Sequence, residues 1–140
     1  MGSRRKGREI ALKILYQREA RSEELERSFG SYWAQNPTDQ ETRSFAERLA
    51  QGVTAHLEEI DALIVEAAQH WRLDRMFAID RNLLRIGVFE LVHELDTPPK
   101  VVINEAIEVA KRYGTQKSPH FVNGVLDGVK RKLEAREAVP

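Results

Sequence analysis

The sequence predicts an all-α fold, a single domain packed around one buried central helix, on three observations. The stretch Ala78 to Leu95, AIDRNLLRIGVFELVHEL, is apolar nearly all round at helical spacing. Ile79, Leu83 and Ile86 fall on one side, Leu84, Val88, Leu91 and Leu95 on another, and Phe89 and Val92 between them. A surface helix keeps a wide polar face, so this one has to be covered on several sides. In the rest of the chain apolar residues recur every three or four positions, the helical period. No strand-like alternation, fixed-period repeat or low-complexity tract interrupts that pattern.

Composition bounds the class. A chain of 140 residues builds one domain and buries about 70% of the surface its unfolded form exposes. With 41% hydrophobic and 31% charged residues, it is globular rather than disordered. No run approaches the ~20 apolar residues that span a bilayer, and no apolar signal segment follows the basic start. Met1-Gly2-Ser3 looks like a myristoylation start, but Lys6 stands where Ser or Thr is required. The absence of Cys excludes disulfides, thiolate chemistry and Cys-ligated zinc. A cytoplasmic location is expected. Net charge is zero, yet residues 1–21 hold seven Lys/Arg against two Glu, leaving +5 at this end and −5 elsewhere. That asymmetry points to an anionic partner held locally.

The first helix runs from Arg4 to Ala20, with Ile10, Ala11, Ile14 and Leu15 as its buried stripe, widened by Leu12 and Tyr16. Ahead of the stripe stand Arg4, Arg5, Lys6 and Arg8. Cations in a first turn oppose the helix dipole, so the cluster is either a solvated tail or is kept for an external anion such as a nucleic-acid phosphate. Ser22 is a candidate N-cap for a second helix with Leu25, Phe29 and Trp33 inside and Tyr32 beside them; Asn36-Pro37 ends it. Thr38 and Glu41 have capping-box spacing for a third helix. Its inner row is Phe45, Leu49, Val53, Leu57, Ile60, Ile64, Ala67 and Trp71, with a bend expected near Gly52. Glu47, Glu58, Glu59 and Glu66 form its solvated side.

Residues 72–77 connect to the central helix, and Asp96-Thr97-Pro98-Pro99 ends it and begins the next. Val102, Ile103, Ala106, Ile107, Ala110 and Tyr113 form that helix's inner face, with Gly114 as the expected C′ residue. Ser118-Pro119 supplies an N-cap and an N1 proline for the last helix, whose apolar positions are Phe121, Val122, Val125, Leu126, Val129 and Leu133. Gly124 and Gly128, four apart, predict a close helix contact on that face.

Little in the sequence suggests catalysis. His56, His70, His93 and His120 have no metal-ligand spacing, so no metal site is expected. Glu58, Glu59 and Asp61 cannot all share a helix face, and no phosphate-binding glycine loop or nucleophile elbow is present. No catalytic residue and no cofactor are expected. Binding is better supported. Phe121 falls in the first turn of the last helix, beside backbone N–H groups that suit a phosphate, where its ring could stack on an unpaired base. It could equally be a core anchor.

Four segments, RRKGREIALKILYQ, IDRNLLRIGVFEL, VVINEAIEVAKRYG and FVNGVLD, together resemble the NusB family of bacterial transcription antitermination factors from Arg4 to about Leu133. INEAIEVAK followed by FVNGVLD is the specific part. The resemblance implies two small helical bundles, about 4–71 and 74–136, in six to seven helices, and no catalysis. It implies binding of single-stranded boxA RNA, mainly ribosomal, together with NusE, a protein of the small ribosomal subunit, within the RNA polymerase antitermination complex. By position, the family's arginine-rich RNA-binding segment falls on Arg4, Arg5, Lys6 and Arg8, and its aromatic on Phe121. The NusE-interface acid falls on Asp80 and the interface tyrosine on Tyr16. Two positions depart from the pattern: Lys6 lacks the planar fork of Arg, and Lys117 stands in the RNA-binding loop where relatives can carry an acid. The helical domain also resembles the N-terminal part of some RNA cytosine methyltransferases. An isolated domain of that kind, or a protein-only helical adaptor, is the alternative.

Overall fold

The computed structural model describes residues 2–138. Among these, seven helices follow in order: α1 Ser3–Arg21, α2 Leu25–Gln35, α3 Gln40–Ala55, α4 Leu57–Ala67, α5 Ala78–His93, α6 Pro99–Tyr113 and α7 Ser118–Ala138. A short 3-10 turn, Leu73–Arg75, precedes α5, and no strand occurs among the described residues. The all-α expectation holds.

Helix α5 is the central element. It packs against α1, α3, α4, α6 and α7, and Leu83, Leu84, Ile86, Val88, Phe89 and Leu91 are all buried. Because its neighbours approach from several sides, a single polar face has nowhere to go, as the apolar pattern requires. The helix stops at His93, so Leu95, expected on its inner side, lies in the following turn and is 80% exposed. Helix α1 packs on α2, α3 and α5, while α7 packs on α4, α5 and α6.

Several local features differ from the sequence reading, each for a physical reason. Ser22 does not cap α2; it ends α1 in the left-handed region at φ 50°, its N–H bonded to Glu19 O and that of Glu23 to Arg18 O. That is the Schellman pattern, with serine where glycine is usual. Asp39, one residue after Thr38, caps α3 by accepting bonds from the backbone N–H and hydroxyl of Thr42 at 3.0 and 2.8 Å. The long third helix is broken at His56 (φ −116°, ψ 27°) into α3 and α4, and α4 packs on α5 and α7. Trp71 lies beyond the end of α4 and is 59% exposed.

The bend expected near Gly52 falls one turn later, at His56. A Cβ at Gly52 would sit 2.2 Å from the ring of Phe89, so the glycine admits the central helix against α3. Gly114 directly follows the end of α6, as expected, in extended backbone (φ −91°, ψ −168°), where a Cβ would meet Ser118 at 2.5 Å. The paired close contact expected at Gly124 and Gly128 is half right. Gly128 faces Ala67 of α4, where a Cβ would lie 3.3 Å away, but Gly124 opens to solvent with nothing within 4 Å.

These differences are measurable by urea denaturation. Gly52→Ala should destabilise by about 1–3 kcal/mol through overpacking against Phe89. Gly124→Ala should instead stabilise by up to about 1 kcal/mol, the helix-propensity gain of an exposed site.

Candidate nucleic-acid interface

Arg4, Arg5 and Arg8 line one cleft at the start of α1 while Lys6 faces another, and the four cations differ in burial and in partner. Arg8 is 4% exposed, and its guanidinium donates to both carboxylate oxygens of buried Glu90 at 2.9 and 2.7 Å. Two charges removed from water together need each other, since either one left alone would carry an uncompensated desolvation cost. Arg8 is thus held largely inside, its guanidinium engaged by Glu90. Arg5 is half-buried and donates to both oxygens of Glu105 at 2.9 and 2.6 Å. Arg4 is exposed, its guanidinium 4.3 Å from the centre of the Phe45 ring, which supports one face and leaves the other to solvent. Lys6 is exposed as well and opens into a different cleft, lined by Lys13, Arg112, Tyr32 and Asn36. Gly2, the N-cap, brings no side chain to the first-turn N–H groups, which adds anion-binding capacity beside Arg4.

A second cleft, of about 190 Å³, gathers aromatic and cationic side chains. Phe121, half-buried in the first turn of α7, meets Trp71 edge to face at a ring separation of 5.6 Å. Phe77, the residue before α5, is 66% exposed beside them, and Lys117 and Arg75 flank the cleft. Asp80 also lines this cleft but is 6% exposed, with one oxygen accepting the Ser118 hydroxyl at 2.6 Å. Ser118 in turn accepts the Thr115 N–H at 2.9 Å. Asp80 therefore pins the start of α7, and with it Phe121, to the start of α5. Tyr16, 44% exposed, stands in another depression with Lys13, Ile79 and Tyr113, so Tyr16 and Asp80 do not share a cleft.

The two clusters lie at opposite ends of the central helix. Arg8 pairs with Glu90 near the end of α5, while Glu19 of α1 bonds Arg81 and Arg85 near its start. Helix α1 is thus antiparallel to α5, and its basic start is separated from the aromatic cleft by roughly the 15 Å between Asp80 and Glu90 at 1.5 Å per residue. Trp71 and Phe77 were not recognisable as site residues in the sequence: Trp71 continues the apolar row of the third helix, and Phe77 ends a connection.

The profile of the NusB family matches residues 5–131 of this chain. This chain belongs to the NusB family. The transcription antitermination protein NusB of Myxococcus xanthus is 48% identical over 133 residues, covering 92% of this chain and 95% of that protein. That of Trichlorobacter lovleyi is 46% identical over 127 residues, or 91% and 89% of the two chains. The fold is similar to that of T. maritima NusB, with a TM-score of 0.85 at 39% identity over 96% of both chains. It is also similar to a chain in a crystal structure of antitermination factors NusB and NusE in complex with dsRNA, with a TM-score of 0.84 at 30% identity over 94% of this chain and 98% of that one. The reading of the sequence as NusB-like and all-α therefore stands.

Two outcomes follow from the charges. Arg8→Ala, which strands Glu90, should cost about 3–5 kcal/mol, read as a lowered urea midpoint. Acid should also weaken the fold. The hydrogen bond from Arg5 holds the Glu105 carboxyl below its ordinary 4.5 against a smaller opposing effect of burial. In Glu19 burial pushes the carboxyl up, but hydrogen bonds and charge from Arg81 and Arg85 together outweigh it, and the net shift is downward. A carboxylate lowered in the folded state stabilises it above the unfolded value and loses that contribution as pH falls through the folded one. Midpoints measured against pH should thus be flat above about 4.5 and decline below it for these two groups.

Proposed function

We propose that this chain is an RNA-binding transcription antitermination factor. It binds boxA RNA of nascent, mainly ribosomal, transcripts together with NusE, and it joins the RNA polymerase antitermination complex. It acts by binding, without catalysis or cofactor, in the cytoplasm. The observation that best supports this is the open cleft in which Phe121, Trp71 and Phe77 stand beside Lys117 and Arg75. Aromatic faces with adjacent cations are the means by which unpaired bases and their phosphates are held together. No helix among the described residues is long and apolar enough to cross a membrane.

The roles divide by geometry. Arg4 and Lys6 are the exposed phosphate contacts. Arg5 contributes from its pair with Glu105. Arg8, paired with Glu90 in the cleft that Arg4 and Arg5 also line, fixes α1 beneath them. Phe121 stacks on a base, with Lys117 neutralising a neighbouring phosphate. Exposed Tyr16 meets NusE directly, and Asp80, at the start of α5 beside Ile79 of the Tyr16 depression, belongs to the same interface.

The test is a titration of boxA RNA, single-stranded and annealed to its complement, with and without NusE, over a range of salt. Each phosphate neutralised on a single strand contributes about 0.7 to the slope of log affinity against log salt. The variant Arg4→Ala/Lys6→Ala should therefore flatten the slope by about 1.4, for boxA and scrambled RNA alike. Phe121→Ala should weaken binding by about 1–3 kcal/mol, with melting temperature followed in the same protein because the ring also packs on Trp71. Unchanged slope in the first variant, together with unchanged affinity in the second, would remove the assignment of these residues to RNA.

A further inference from the structure

Fold and RNA cleft leave one cluster of chemistry-bearing side chains without a role. His56 at the break between α3 and α4, Glu59 in the first turn of α4, and His93 at the end of α5 converge on one another. His93 Nε2 lies 2.9 Å from Glu59 Oε1, and His56 Nδ1 lies 4.0 Å from the same oxygen. One donor atom from each residue fits within a 4.8 Å span. The two imidazoles are stacked at a centroid distance of 4.1 Å, and both lie over the ring of buried Phe89, at 6.3 and 5.3 Å.

We infer that His56, Glu59 and His93 form a binding site for a divalent transition-metal ion of the zinc type, tying the start of α4 to the end of α5. Two neutral imidazoles and a carboxylate are a borderline donor set, suited to Zn²⁺ or Ni²⁺ and poorly suited to Mg²⁺ or Ca²⁺, which prefer oxygen alone. Bonds of about 2.0–2.2 Å in tetrahedral geometry put donor atoms a little over 3 Å apart. The observed spacing meets that with small rotations of three exposed side chains, and water completes the shell. The bond between His93 and Glu59 marks where the ion enters, between a nitrogen and an oxygen that already face each other. Phe89 gives the site an apolar floor, and Gly52 fixes Phe89 by admitting its ring against α3. An apolar wall of this kind limits competing water around a metal and its ligands.

The ion would join the α3–α4 break and the start of α4 to the end of α5, elements that are far apart in sequence. Its signature is therefore a change in stability as well as binding. The experiment is a calorimetric titration of the untagged full-length chain, stripped with EDTA, with ZnCl₂. One ion should bind per chain, and the melting temperature should rise with zinc. His93→Ala and Glu59→Gln should each weaken binding by about tenfold or more, whereas His70→Ala and His120→Ala should leave it unchanged. MgCl₂ should neither bind there nor raise the melting temperature. Each variant melting in EDTA at the wild-type temperature would show that the loss is one of ligands rather than of folding. Zinc binding by a His56→Ala/His93→Ala variant as tight as that of the wild type, or no zinc uptake by the wild type at tens of micromolar, would overturn the site.

Discussion

Arg8 and Glu90 are a guanidinium and a carboxylate taken out of water together, and the meeting of α1 with the central helix depends on them. In a low-dielectric setting either charge without the other would cost several kcal/mol. Sliding α1 along α5 by a single residue would separate them. The second network, in which Glu19 and Asp61 accept from Arg85 and Glu19 also from Arg81, does the same at the far end of the two helices. Hydrophobic contacts alone would tolerate several registers, because Leu and Ile stripes look alike one turn apart. Buried bidentate pairs do not, since their donors and acceptors match in one arrangement only.

From that register the binding surfaces follow. With α1 fixed, Arg4 lies over Phe45 and Arg5 reaches Glu105, so the basic start becomes a short ordered helix end instead of a tail. At the other end Asp80 and Ser118 set the first turn of α7, and Phe121 is presented beside Trp71 with its orientation already chosen. A ring held in place loses little freedom when a base stacks on it. Asp80, placed at a partner interface by the family resemblance, also anchors this helix start through Ser118.

The fold was legible because its main signal is periodic. The apolar wrap of residues 79–92 identified the central helix, and the proline at the start of α6 marked its boundary correctly. What escaped was information carried by neighbours distant in sequence. Nothing near Arg8 announces Glu90, 82 positions away, so four similar cations could not be sorted into buried, paired and exposed. Trp71 keeps the helical period of α4, but the chain has already left the helix at Ala67, and the ring turns outward to Phe121. Gly124 and Gly128 share a spacing but not an environment, because only one of them faces α4. His56 and Glu59 stand three apart at a helix start, a signal that stays weak until α5 brings His93 alongside.

On the proposed assignment of both patches to RNA, the separation of the basic helix end from the aromatic cleft by most of the length of α5 gives this surface a measuring property. On that assignment, an oligonucleotide too short to reach from one end to the other occupies either and gains nothing from the second. Once a strand spans both, the second contact forms from an already tethered chain, at an effective concentration that can reach the millimolar range for a short flexible connection. Weak individual contacts then combine into firm retention without any residue binding tightly on its own. The spacing of the two proposed contact patches would then act as a ruler, favouring strands of sufficient reach over short fragments that carry the same bases.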